Sequence, residues 1–321
     1  MKKFTIYLKL LVVILLSFQI FGCGTTSLLV PVTRPAEINL AKFKKIAVGE
    51  ITGQAANDVT DELTTALFES NRFEVLDRAN LDKILREHNL SASGLVDEKT
   101  AAEFGQLIGA AAMVFGRVAD YKYDEKLEKG EPWTDKKGGR HQTFTRYGSS
   151  KVTVNFKITD LTTGKLLVSK SITHGGEAKT YADNQQPDAI DRDNLFAFAR
   201  KAVIQDFMKK VAPYTEYVKM YLKSDSDIPE LEKGISLAKA GQWDRAIENF
   251  KSATEKYPGN ENLHKAYYDL GVAYMYNQMF KESIDALNKA YELKADEDYL
   301  TEIQNCKNME SEYKKLQEQL K

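Results

Sequence analysis

The stretch KVTVNFKITDLTTGKLLVSKSIT (residues 151–173) decides how the first half of this chain folds. Val152, Val154, Phe156 and Ile158 alternate with polar residues, the period of a strand with one buried face. Thr163-Gly164 supplies a turn, and KLLVSKSIT returns beside the first strand, so the segment predicts an antiparallel hairpin. Val168 and Ile172 share the inward face with Leu166, and Lys170 falls on that face too.

Upstream of the hairpin the period changes repeatedly. KKIAVGEIT (44–52) reads as a first strand. Val59, Leu63, Ala66 and Leu67 then recur at helical spacing, and Phe73 and Val75 open a second strand. Asn80 is placed to cap a helix carrying Leu81, Ile84, Leu85 and His88. Asp97 opens another through Ala101, Phe104 and Ile108, and AAMVFGRV (111–118) is a third strand. Residues 119–150 lose all period and mix charges with glycines, as an exposed insertion or long hairpin would. A helix over roughly 193–211 carries Leu195, Phe198, Ala199, Ala202 and Val203 and stops before Pro213. Parallel β-α-β order joined to an antiparallel hairpin predicts an α/β (α+β) domain over residues 43–213, a mixed sheet with flanking helices.

Residues 214–321 change to all-helical patterning. GQWDRAIENFKSATEKYPGN (241–260) resembles the second half of a tetratricopeptide repeat through Ala246, Phe250, Ala253 and Pro258, with Gly234 at the small position of the preceding helix. The pattern recurs through Leu270-Gly271, Tyr274, Phe280, Ser283, Leu287 and Ala290. The repeat offset is 37 residues, and ENLHKA is expected to absorb the surplus by lengthening a helix. A last helix, 297–320, carries Tyr299, Ile303, Cys306, Met309, Tyr313, Leu316 and Leu320 as a stripe that can cap the repeats. The resemblance implies a groove able to hold a segment of a partner protein.

The N-terminus carries a different signal. Lys2, Lys3 and Lys9 precede an apolar run from Leu10 to Phe21. Such a run spans about 18 Å as a helix, too short for a hydrocarbon core of about 30 Å. It reads as a secretory signal over residues 1–22. Ile20-Phe21-Gly22-Cys23 resembles a bacterial lipobox, with Phe21 where a small residue is usual. That resemblance implies a lipid on Cys23, and Gly24 in place of aspartate implies the periplasmic face of the outer membrane. Residues 23–42, with Pro31 and Pro35, are expected to form a tether. Loss of three lysines with the signal takes the formal charge from −1 to −4. A mildly acidic chain without a basic block offers nothing to nucleic acid.

RPAEINLAKFKKIAV, FEVLDRANLDKILREHNLSASG, AAMVFGRV and ITDLTTGKLLVS together resemble the CsgG family of outer-membrane lipoproteins, over roughly residues 34–212. The resemblance implies a lipid-anchored periplasmic α/β domain, often assembled into rings, that serves export or assembly of surface material. Channel-forming members close a transmembrane barrel with hairpins, whose strands need about 9–11 residues with one unbroken apolar face. Here ADYKYDEKLEKGEPWTDKKGGRHQ follows Val118, Arg146, Gly148 and Ser150 interrupt the next strand, and Lys170 interrupts the one after.

The inventory of reactive residues points away from catalysis. His88, His141, His174 and His264 stand apart from one another, and neither H-E-x-x-H nor C-x-x-C occurs. No nucleophile elbow or P-loop is present, and the acids of DAIDRDN (188–194) lack the spacing of a calcium loop. The expectation is a non-enzymatic lipoprotein with no catalytic, cofactor or metal residues, lipidated at Cys23. It would act as a scaffold in curli-like export, forming a homo-oligomeric ring and binding envelope or secretion proteins. Activation of a cell-wall synthase and a secretion pore are the alternatives.

Overall fold

The computed structural model describes residues 24–76 and 111–321. The helices expected around Leu81–His88 and Asp97–Ile108, and Cys23 itself, lie outside the described residues. The chain divides into two compact units: Pro35–Tyr214 with Glu318–Lys321, and the segment up to Arg34 with Thr215–Gln317.

The first unit is a five-stranded mixed sheet backed by helices. In chain order it holds β2 (Lys45–Thr52), α1 (Ala56–Glu69), β3 (Glu74–Leu76), β4 (Ala111–Lys129), β7 (Thr143–Asp160), β8 (Leu166–Asp183) and α2 (Arg192–Val211). Two short strands, β5 (Trp133–Thr134) and β6 (Arg140–His141), pair with each other between β4 and β7. The sheet order is β3-β2-β4-β7-β8; β2 runs parallel to β3 and β4, and β4, β7 and β8 run antiparallel in turn. Val152, Val154, Phe156 and Ile158 all face the core, as their alternation predicts, against Val203 and Phe207 of α2. The Phe156 and Phe207 rings meet at 4.3 Å.

Three details depart from the sequence reading. A register shift between Ile158 and Thr159 pairs Thr159 with Leu166, leaving Leu166 exposed rather than beside Val168. Phe198 is also exposed; the buried stripe of α2 steps by fours through Leu195, Ala199, Val203, Phe207 and Val211. Residues 119–150 resolve the open alternative: β4 and β7 continue as one antiparallel hairpin pairing Lys129 with Phe144.

The second unit contains α3 (Pro229–Lys239), α4 (Trp243–Lys256), α5 (Leu263–Tyr276), α6 (Phe280–Leu293) and α7, which begins at Glu297 and runs to Leu320. It also holds a two-stranded ribbon of β1 (Thr25–Arg34) and β9 (Tyr214–Lys223). Residues 25–34 are therefore a strand and not part of a loose tether. Leu28, Val30 and Val32 turn inward on alternate positions. Pro31 is tolerated because each strand of a ribbon is an edge, where a missing N–H faces outward. α5 begins inside ENLHKA at Leu263 and has 14 residues against 11 in α3, so the second repeat's first helix is three residues longer, as expected.

Close helix approach explains two glycines in this unit. A Cβ on Gly234 of α3 would lie 2.4 Å from the Phe250 ring of α4, and one on Gly271 of α5 would lie 2.6 Å from Leu287 of α6. Both helical pairs thus cross at a glycine facing a large apolar side chain. Cys306 is fully buried, its thiol 3.5 Å from the Phe280 carbonyl oxygen.

Candidate functional site

Two surfaces stand out, one in each unit, and each follows from strand alternation. In the α/β unit, β4, β7 and β8 have 18 or 19 residues apiece, about 60 Å of chain each at full extension. β2 pairs only with the start of β4, as far as Arg117. Beyond it the three strands run on, and among the described residues helices cover one face only.

On the covered face, Tyr121 stacks on Phe196 of α2 at 4.0 Å, and Arg192 lies over the Tyr123 ring. Gly148 and Gly176 let the chain after β8 come close: a Cβ on Gly148 would meet Ile190 at 2.9 Å, and one on Gly176 would meet the Leu195 carbonyl oxygen at the same distance. Ser150 donates to that carbonyl at 3.0 Å. Asp191 caps α2 by accepting from the Asn194 N–H. Further out, Arg146 and Glu125 form an ion pair on this face. Lys170 escapes burial at the sheet edge by reaching Glu37, which Lys210 also binds. Those two hydrogen bonds, Lys170 first, lower the Glu37 carboxyl to about 2.

The opposite face is open and polar. Cross-strand rows place Arg117 with Asn155 and Ser171, Asp124 with Ser149 and Glu177, and Lys126 with Tyr147 and Lys179. A concavity of about 610 Å³ lies along the last two rows, and another of about 500 Å³ along Phe115, Arg117, Asn155 and Lys157. Charge therefore occupies both faces of the outer hairpin. Its tip is ordered by Trp133, which stacks on His141 at 4.7 Å, while His141 bonds Asp135 at 2.9 Å.

In the helical unit, α5 is buried along most of its surface. The β1–β9 ribbon lies along α5 and α7, with Val30, Met220 and Leu222 in the same core as Tyr268, Met275 and Tyr299. Arg34 pairs with Glu216 of β9 and Glu312 of α7. At the other end, the Lys223 N–H donates to Asp269 at 2.7 Å and the Lys223 ammonium lies over the Tyr268 and Tyr299 rings. Lys265 and Asp225 form a buried ion pair at 2.5 Å. Burial drives the Asp269 carboxyl well above its usual range, and its second oxygen has no hydrogen-bond partner. Burial likewise lowers His264 to about 4, with Tyr299 2.6 Å from its Nδ1.

The histidines thus serve packing and pairing: His174 meets Asp206, His141 meets Asp135 and His264 meets Tyr299. His88 lies outside the described residues. No cluster of metal-ligating side chains occurs among the described residues. No helix among them is long and apolar enough to cross a membrane.

Residues 36–184 match the family model of CsgG, the curli production assembly/transport component. Over these residues the α/β unit is similar to the CsgG family. The match ends at Asn184, just past β8, so it takes in the whole long-stranded sheet and stops short of α2 and the helical unit. Among solved structures, the PelC dodecamer from Paraburkholderia phytofirmans is similar at 14% identity, covering 58% of this chain and 99% of that one with a TM-score of 0.29. A lipoprotein from Neisseria meningitidis follows at 13% identity, 41% and 79% coverage and a TM-score of 0.27. The LpoB C-terminal domain from Salmonella enterica has 13% identity, 41% and 83% coverage and a TM-score of 0.26. No curated protein matches the sequence.

The likeness of the α/β unit to the CsgG family was legible through residues the match includes, namely the strand starts and the DLTTGK turn, where Gly164 takes a φ of +70°. The ribbon of the helical unit was missed. Its signal, alternation at Leu28, Val30 and Val32, was present but overridden by the two prolines.

Proposed function

We propose that this chain is a non-enzymatic lipoprotein, anchored through Cys23 to the periplasmic face of the outer membrane, that scaffolds the assembly or export of cell-surface material. The CsgG match over residues 36–184 carries this reading. The secretory signal and lipobox-like Ile20–Cys23 supply the anchor. Acyl chains contribute about 0.8 kcal/mol per buried CH₂, so several on one residue hold firmly. In this reading the subunits form a ring, the open face of β4, β7 and β8 handles the cargo, and the helical repeats engage an envelope protein through surfaces other than the ribbon-filled side of α5.

The charge on both faces of the outer hairpin favours a scaffold over a pore. A lysine or arginine at mid-membrane depth costs about 2–4 kcal/mol; the open face would bring Lys122, Lys126, Lys151 and Lys179 per subunit, and the covered face Arg146. Activation of a cell-wall synthase is the second reading, and the two diverge in their partners. Crosslinking in cells followed by identification of captured proteins tests both. Secretion components support the scaffold, a synthase supports the activator, and neither class sinks the proposal. Single-channel conductance in planar bilayers would restore the pore. Replacing Cys23 with serine is expected to release the protein from membranes; unchanged retention overturns the anchor.

A further inference from the structure

Gly24 is the first described residue, and its carbonyl oxygen is already fixed by the Ser224 N–H at 2.8 Å and the Ser224 hydroxyl at 2.9 Å. Cys23 is bonded directly to it, about 3.8 Å away Cα to Cα. A flexible tether of residues 23–42 would let the fold roam roughly 25 Å from its lipid. The ribbon leaves a single peptide unit instead.

On this basis, and resting on the reading of Cys23 as lipidated, we infer that the outward face of the β1–β9 ribbon lies on the lipid interface. The ribbon is antiparallel: Gly24 meets Ser224 at one end, and Thr33 meets Thr215 at the other. That common offset sets Leu29 across from Lys219, Pro31 across from Tyr217 and Ser27 across from Tyr221. All six point away from the helices, since their inward neighbours are the ones in contact with the core. Leu29 is 69% exposed and Tyr217 72%.

Scattered apolar residues on a surface are ordinary, but these are contiguous on one face of an element that begins at the acylated residue. Tyrosine suits the interface because its ring is apolar and its hydroxyl wet. Lys219 can lay its stem along the apolar strip and hold its ammonium among phosphates. The partner is a phospholipid surface, and its place is set by the covalent path from the lipid to Gly24.

The test uses the full lipidated chain in phosphatidylethanolamine–phosphatidylglycerol vesicles. A fluorophore is attached in turn to Leu29→Cys, Tyr217→Cys and Lys251→Cys, the last on α4. Burial of Cys306 keeps it from competing for label, and the unsubstituted chain serves as the blank. Lipids carrying a headgroup nitroxide should quench positions 29 and 217 several-fold more than 251. Equal quenching in a chain that floats with the vesicles overturns the ribbon inference and leaves the anchor standing. A chain that does not float overturns both. Crosslinking between copies at position 217 without quenching assigns the face to a second copy and overturns the lipid assignment.

Discussion

Ser224 donates two hydrogen bonds to Gly24 across 200 residues of sequence. The strand that follows Gly24 and the strand that leaves the α/β unit after α2 are thereby locked into one ribbon. The helical unit is built from both ends of the chain, and its core includes Val30 from one end and Leu222 from the other.

The first prediction concerns that dependence. Val30→Ala removes two buried methyl groups and should destabilise the helical unit by about 2 kcal/mol. Leu29→Ala, on the exposed face, should cost less than about 0.5 kcal/mol in the unlipidated chain. Urea unfolding of Cys23→Ser protein carrying each change measures both, and equal effects would mean the ribbon is not packed on the helices.

Gly234→Ala pits helix propensity against space. Alanine gains about 1 kcal/mol in a helix, while a Cβ 2.4 Å from the Phe250 ring forces α3 and α4 apart. Overpacking of this kind costs about 1–3 kcal/mol, so net destabilisation is expected. Phe250→Leu in the same chain should recover part of it. Thermal unfolding of the single and double variants reads the coupling.

The buried Lys265–Asp225 pair is expected to be costly to break on one side. Lys265→Met leaves the Asp225 carboxylate buried beside an apolar side chain and should lose about 3–5 kcal/mol. Adding Asp225→Asn should return a substantial share. A double-mutant cycle by denaturant unfolding gives the interaction directly, and additivity would contradict the geometry.

Two buried groups give the helical unit opposing pH dependences. His264, depressed to about 4 by burial, stays neutral in the fold but takes a proton when unfolded below about 6.5. Its contribution is complete above that pH and is lost as pH falls towards 4, on the order of 2 kcal/mol. Asp269 is raised, so the fold holds its proton more tightly than the unfolded chain does. Its contribution is present below the ordinary carboxylate range and is lost as pH rises through the folded value. Asp269→Asn should therefore improve relative to the parent between pH 5 and pH 8. His264→Asn should flatten the acid limb. Unfolding free energies at both pH values decide each case.

Much of the fold was readable because burial there follows simple periods. Val152 to Ile158 alternated and faced the core; Val59, Leu63 and Leu67 stepped by fours and did the same. The candidate surfaces were harder to read. Leu166 left the inward face through a one-residue register shift that no local pattern announces. Residues 119–129 read as aperiodic because a bulge between Val118 and Asp120 breaks the alternation, and beyond it one face is polar while Tyr121 and Tyr123 on the other give way to Glu125.

The sequence by itself determined the two kinds of unit, the helical crossings at Gly234 and Gly271, and the lipobox-like stretch ending at Cys23, because each is written in short-range spacing. Tertiary structure alone decided that β1 pairs with β9 and shares a core with α5 and α7. Strand partners 200 residues apart are chosen by which faces remain to be buried, and that choice becomes visible only once the helices have packed.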